Sequence, residues 1–293
     1  MINIRGRLIG QDGPMVMGII NITEDSFYAA SRVEPTHVDH IVRNMRDEGA
    51  MIIDVGACST RPGSEAVSEE KELELLLRAL EKIRSVDADV IISVDTFRTE
   101  AARRCIEAGA DIINDVSGGA DEGMFELVAD AGVPYVLTHS RGNSKTMQSH
   151  TDYEDVAAEV LMELAFKADR LHQLGATDVI IDPGFGFAKT REQNYSLLAN
   201  LGALKTIGCS ILAGISRKSM ICNELGCGPE EALNGTTAAN MIALMNGADI
   251  LRVHDVKEAR ETIKIFNAYR RNMPKRHSIT TFDTNRGYDV KLF

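Results

Sequence analysis

The stretch GADIINDVSGG (109–119) decides how this chain folds. Gly109 closes a segment with helical spacing, an apolar β-branched run follows at once, and Asn114 and Asp115 lead into a Ser-Gly-Gly turn. Glycine just past a helix end adopts the left-handed conformation without steric cost, and the run after it reads as a strand. The same order recurs at Gly49 before MIIDVG, Gly132 before VPYVLTH, Gly175 before ATDVIIDPG and Gly247 before ADILRVHD. Outward from these units, MVMGIINI (15–22), DVIISVD (89–95) and SILAGIS (210–216) complete a set of strands at 15–22, 50–56, 89–95, 110–116, 133–139, 178–184, 210–216 and 248–254. Their near-continuous apolar character is that of parallel strands covered on both faces. Eight such strands separated by helices predict an α/β fold, a single-domain (β/α)₈ TIM barrel over residues 1–275, followed by a polar tail at 276–293. An open doubly wound sheet favours G-x-G-x-x-G after its first strand, and none follows residue 22; no G-x-x-x-x-G-K-[ST] loop occurs either. Thr36, Ser68, Thr99 and Thr190 precede segments with helical spacing, and Asp152 opens a long one, as N-caps do.

Composition narrows the function. Hydrophobic residues at 44% and charged residues at 26% of 293 describe a globular chain. No run of 18 apolar residues exists, which argues against a membrane helix. The start, MINIRGRLIGQDG, has no apolar signal core, so a cytoplasmic protein is expected. Five cysteines (Cys58, Cys105, Cys209, Cys222, Cys227) without a C-x-x-C pair read as reduced thiols, and no His completes a zinc set around Cys222 and Cys227. With a net charge of −11 and basic residues clustered only around Lys275, Arg276 and His277, no nucleic-acid partner is expected. An anionic substrate then needs a local cluster of cations.

Nearly every strand ends in a polar side chain: Asn21, Asp54, Asp95, Asn114 with Asp115, His139, Asp182, Ser216 to Lys218, and Arg252 with His254. In a (β/α)₈ barrel these ends share the rim where active sites are built. Asp95, Asn114 and Asp182 suit a flat heterocycle whose edge presents several N–H donors. Asn114 and Asp115 face opposite ways, and Asn114 is expected inward because Asp115 opens the turn. Arg252 and His254 share a face; with Arg61 and Lys218 they supply the cations for a phosphate or pyrophosphate. Ser219 and nearby backbone N–H groups add anion contacts if a helix starts there. Two long connections, 21–32 and 58–70, flank the same rim and read as substrate loops.

Seven segments, MGIINITEDSF (17–27), IIDVGACSTRPGS (52–64), ISVDTFR (92–98), GADIINDVSGG (109–119), IIDPGFGFAKT (180–190), GISRKS (214–219) and GADILRVHD (247–255), carry a resemblance to the dihydropteroate synthase family over about residues 13–270. The resemblance implies a folate-synthesis transferase that joins 6-hydroxymethyl-7,8-dihydropterin pyrophosphate to p-aminobenzoate, with Mg²⁺, as a homodimer and a sulfonamide target. It implies pterin binding by Asp95, Asn114, Asp182, Phe187 and Lys218, and pyrophosphate binding by Arg61, Arg252 and His254. It further implies p-aminobenzoate binding by Phe27, Thr60, Pro62 and Ser219, a Mg²⁺ ligand at Asn21, and Arg61, Lys218, Asp95 and Asp182 as the catalytic set. This chain departs from the family at the first loop, where N-V-T-P-D-S-F-S-D-G-G is common. Here Glu24 replaces the proline and Ala29 the second aspartate, while Asp25 is kept. After the fifth strand THSR (138–141) stands where M-H-M-R is frequent, which makes that side of the pocket more polar. A methyltetrahydrofolate–corrinoid methyltransferase would share Asp95, Asn114 and Asp182 but requires neither STRPG nor SRKS, both present here. A pterin-binding paralogue that no longer condenses its ligand draws support from the altered first loop alone.

Overall fold

A computed structural model describes residues 1–22, 38–57, 67–142 and 146–273. Eight parallel strands close into a barrel: β3 (Met15–Asn21), β4 (Ile52–Gly56), β5 (Ile91–Asp95), β6 (Ile112–Asp115), β7 (Tyr135–Thr138), β8 (Val179–Asp182), β9 (Ser210–Ala213) and β10 (Ile250–Val253), with β10 beside β3. All eight expected strands form, each shorter than its apolar run by one to three residues because the run continues into turn or helix-exit backbone. The helices α1 (Val38–Glu48), α2 (Glu69–Val86), α3 (Thr99–Glu107), α4 (Met124–Ala131), α5 (Val156–Gln173), α6 (Arg191–Ala199), α7 (Ser219–Leu225), α8 (Leu233–Met245) and α9 (Val256–Arg271) connect them, two lying between β9 and β10. Gly49 leaves α1 at φ 107°, and the other four expected helix-exit glycines also take positive φ.

Two caps stand where expected. Ser68 accepts from Lys71 N–H, and Thr190 and Gln193 form a capping box. Two differ. Asp155, not Asp152, caps α5, accepting from the N–H groups of Ala157 and Ala158. The Asp152 carbonyl is instead held by Arg141, which fixes the approach to the helix three residues later. Arg98 occupies the cap position of α3, and Thr99 is its first residue, tied to the next loop by its N–H to Asp121 and its hydroxyl to the Glu122 carbonyl. Thr36 and the tail at 276–293 lie outside the described residues.

Two apolar layers hold the barrel. The larger lies between the strands and the helices. The smaller fills the barrel interior: Met15, Met17, Ile52, Ile112, Val136, Ile180, Leu212 and Ile250, joined by Ile2 and Ile4. Those last two belong to an N-terminal hairpin, β1 (Ile2–Ile4) and β2 (Arg7–Ile9), which plugs the end of the barrel away from the polar rim. Period-two alternation sends Ile2 and Ile4 inward and leaves Asn3 exposed. Burying two isoleucines contributes about 1.5–3 kcal/mol each. Arg5 secures the hairpin by pairing with Asp111, which Arg84 also grips at 2.6 Å. The hairpin leaves the polar rim at the C-terminal ends of the strands as the opposite end of the barrel.

Candidate active site

The inward face of each strand is set by its residue in the interior layer, and period two carries it to the rim. Two residues beyond Ile52, Ile112, Val136, Ile180, Leu212 and Ile250 stand Asp54, Asn114, Thr138, Asp182, Gly214 and Arg252. On β5 the same alternation brings in Ser93 and Asp95. Register aligns Asn21, Gly56, Asp95 and Asn114 at one level on four consecutive strands. The mouth therefore changes from apolar to polar within one step of the pleat.

Asp54 is the hub. Its Oδ2 accepts from Asn114 Nδ2 at 3.1 Å and from Arg252 Nε at 2.6 Å, while Arg252 Nη2 reaches Asp95 Oδ2 at 2.5 Å. Asp54 is 0% exposed, and Asp95 and Arg252 are nearly enclosed. Arg252 thus faces two carboxylates, rather than standing beside other bare cations. Three buried oxygens of the mouth have no hydrogen-bond partner among the described residues: Asp54 Oδ1, Ser93 Oγ and Thr138 Oγ1. An unmet buried polar group costs about 1–3 kcal/mol, so these atoms are suited to pairing with a polar ligand. Glycines make the room. A Cβ on Gly56 would stand 3.4 Å from both Asn21 Oδ1 and Asp95 Cβ, and one on Gly214 would stand 3.5 Å from Asp182 Oδ2 and 3.8 Å from Lys218 Nζ.

Across the mouth, Asp182 Oδ1 accepts the Gly184 N–H at 2.7 Å. Lys218 Nζ donates to the Phe185 carbonyl at 2.5 Å and lies 4.8 Å from the centre of the Phe187 ring. Arg217, at φ 55°, turns the chain so that Lys218 faces the mouth. Its own guanidinium is held by Asp255 and the carbonyls of Pro229 and Glu230. His254 accepts or donates at Ser216 Oγ through Nδ1 at 3.0 Å. Asp115 points away, binding Ser117, Gly119 and the Tyr135 hydroxyl, which is why Asn114 takes the inward place. Ser219 does open α7, but that helix has only seven residues, and the side chain is exposed.

Charge and burial oppose each other here. Burial raises the Asp95 carboxyl to about 7, with repulsion from Asp54 and Asp115 reinforcing it and Arg252 and Lys218 opposing it. Burial also raises Asp182, against the pull of Lys218, the Gly184 N–H, Arg252 and Lys189. Burial lowers Lys218 to about 8, with Asp182 pulling it back up. Two carboxyls that burial holds above the usual carboxylate range are suited to trading charge for ligand N–H donors.

Of the residues singled out from sequence, Asn21, Asp95, Asn114, Asp182, Phe187, Lys218, Ser219, Arg252 and His254 lie within the described chain, around or above the mouth. Phe27, Thr60, Arg61 and Pro62, together with Glu24, Asp25 and Ala29, lie outside it. The sequence places Asp54 among the rim residues and Thr138 on the more polar side of the pocket without giving either a binding role, and it passes over Ser93. Counting back in twos from Asp95 points to Ser93 as a further inward hydroxyl. No group of three or more His, Cys, Asp or Glu poised for a metal occurs among the described residues.

Residues 17–254 match the family of pterin binding enzymes. The chain is 42% identical over 268 residues to the dihydropteroate synthase of Escherichia coli (strain K12), an alignment covering 90% of this chain and 94% of that protein. Its fold superposes on the Yersinia pestis dihydropteroate synthase in a sulfonamide drug complex with a TM-score of 0.86 and 36% identity, covering 92% of this chain and 98% of that one. The Xanthomonas albilineans dihydropteroate synthase with 4-aminobenzoic acid gives a TM-score of 0.83 and 37% identity, covering 92% and 97%.

Proposed function

This chain belongs to the dihydropteroate synthases, within the pterin-binding enzyme family, and from that premise we propose how its barrel mouth serves the reaction. It is a transferase of folate biosynthesis that condenses 6-hydroxymethyl-7,8-dihydropterin pyrophosphate with p-aminobenzoate to 7,8-dihydropteroate and pyrophosphate. The observation that carries the residue roles is the ring of buried acceptors around Asp54, several of them without partners, facing a wall made by Phe187 and Lys218.

Asp95, Asn114 and Asp182 hold the donor-rich edge of the pterin, and Lys218 and Phe187 cover its other side. The bond between the pterin methylene and the pyrophosphate oxygen breaks, and the arylamine nitrogen takes its place and loses a proton. Carboxylates near the ring stabilise positive charge that builds on the pterin as the leaving group departs. The arylamine is neutral near pH 7, so positioning and electrostatics do most of the work. Arg61, Arg252 and His254 receive the pyrophosphate. Of Arg252's five N–H groups the carboxylates engage two, which leaves donors for the anion. Phe27, Thr60, Pro62 and Ser219 form the p-aminobenzoate side.

Mg²⁺ fits as an ion carried by the substrate. Asn21 supplies one hard oxygen at the strand end, and Mg²⁺ commonly takes its other ligands from phosphates and water. When bound it neutralises charge on the departing pyrophosphate.

Thr138 offers a test of the pocket. Thr138→Val replaces an unpartnered buried hydroxyl by a methyl of similar shape. Pterin affinity is expected to fall about three- to tenfold, the worth of one hydrogen bond, with the Tm unchanged or higher. Titration with 6-hydroxymethylpterin beside thermal melts checks this, and unchanged affinity would remove the hydroxyl from the site.

No helix among the described residues is long and apolar enough to cross a membrane. We further propose a cytoplasmic homodimer. Exposed Ile242 and Met245 on α8 and Ile265 and Tyr269 on α9 supply apolar surface for the contact, to be checked by mass measurement in solution. Sulfonamide inhibition competitive with p-aminobenzoate is expected on the same reading. The activity is tested by pyrophosphate release with pterin pyrophosphate and Mg²⁺, with and without p-aminobenzoate. Amine-dependent release with dihydropteroate formed supports it; tight pterin binding without product favours a paralogue that has lost the condensation.

A further inference from the structure

Behind the pterin wall lies a buried cation that the mechanism above does not use. Lys189 is 4% exposed, and its Nζ donates to the carbonyls of Gly184 and Phe187 at 3.0 Å each and meets His139 Nδ1 at 3.0 Å. A buried ammonium is expensive unless every proton finds an acceptor, and here three acceptors meet three protons. His139 in turn contacts Glu163 Oε2 at 3.2 Å through Nε2, and its backbone N–H donates to the Asp182 carbonyl at 2.8 Å.

The segment that Lys189 grips, residues 183–188, builds one side of the site. Gly184 is its pivot. Its N–H holds Asp182 Oδ1, its carbonyl is held by Lys189, and at φ 69° a Cβ would fall 1.9 Å from the His139 carbonyl oxygen. Phe185 lends its carbonyl to Lys218, and the Phe187 ring lies under the same ammonium. Asn194 of α6 ties down the Gly186 N–H at 2.7 Å. Ala188, at φ 51°, closes the segment tightly onto Lys189.

Resting on the pterin-site reading above, we propose that Lys189 is a positioning residue, acting through Gly184 on Asp182 and through Phe187 on the aromatic wall, with its positive charge placed to favour the Asp182 carboxylate. The charged groups facing Lys189 are Asp182 at the end of β8, Lys218 beyond β9, Glu163 on α5, and Arg141 and His139 beyond β7. Burial pushes the Lys189 amine down to about 7 against the pull of Asp182. Its charge is therefore present on the acid side of neutrality, where it favours the ionised form of Asp182, and fades on the alkaline side as the amine gives up its proton.

The test uses the full-length protein and two variants. Lys189→Gln keeps donors without charge, and Lys189→Met removes both. Binding of 6-hydroxymethylpterin is titrated from acid to alkaline pH, and the KM for p-aminobenzoate is measured alongside. Lys189→Gln is expected to bind the pterin about tenfold more weakly than the natural protein near pH 6 and within about threefold of it near pH 9. Lys189→Met is expected to be weaker at both ends, with the KM for p-aminobenzoate unchanged in both variants. A loss in Lys189→Gln that is equal at every pH, no loss at all, or failure of both variants to fold would each overturn the proposal in favour of a purely structural lysine. If the natural protein itself binds no pterin, the parent reading fails instead.

Discussion

Asp95→Asn is expected to lower kcat/KM for the pterin substrate about 10²- to 10³-fold, the scale on which losing one aimed electrostatic contact acts in an enclosed site. The same change is expected to leave the fold as stable as before, or more stable, above neutral pH. The sign follows from linkage. The folded Asp95 carboxyl is raised to about 7, above its value of about 3.9 in an unfolded chain. The stability tied to its proton is fully present below the unfolded value and is lost as pH rises through the folded one. Asparagine is neutral throughout, so the Tm of the variant relative to the natural protein should climb between about pH 4 and pH 7 and level off above that. Steady-state kinetics and melts over that range check both halves. Near-normal turnover in the folded variant would remove Asp95 from the pterin site.

Arg252→Met is expected to be the most damaging change to stability. It leaves Asp54 and Asp95 facing each other in a dry pocket with the guanidinium gone. Removing one member of a buried ion pair typically costs about 3–5 kcal/mol, because the remaining charge is uncompensated. The loss should be largest at alkaline pH and shrink toward acid, where the Asp95 carboxyl takes up a proton. The double change Asp54→Asn with Arg252→Met should recover part of it, because one unpaired charge leaves with the cation. Urea titrations at two pH values measure this directly. An equal loss at both pH values, with no recovery in the double variant, would mean that Arg252 stabilises through packing alone. Turnover should fall in the single variant as well, since the same guanidinium is proposed to receive the pyrophosphate.

Much of the barrel was legible because its signals are local. The glycine that ends a helix and the β-branched run that follows depend on only about ten consecutive residues, so five of the eight strands are placed by that signal and the other three by their apolar runs, without reference to neighbours. The choice of Asn114 over Asp115 was also local, since Asp115 is spent on the Ser117 and Gly119 turn. The cap of α5 was misplaced because Asp152 and Asp155 are equally good capping residues. Only the tether from Arg141 to the Asp152 carbonyl, made across a loop, decides between them. The N-terminal hairpin gave little sign of its role, since three-residue strands carry almost no periodicity.

The sequence by itself determined the (β/α)₈ barrel, the polar rim and the family, because alternation, helix-exit glycines and motif order survive in one dimension. Only the tertiary structure decided how the rim charges are matched. Asp54 and Arg252 are 198 positions apart, and nothing local in the chain says that their side chains meet at 2.6 Å. Lys189 and His139 are 50 apart and form one buried contact for the same reason. Barrel closure brings β10 against β3 and sets the register of the strands between them. Coulombic and hydrogen-bond energies depend on distances across the mouth, and those distances exist only once the barrel has closed.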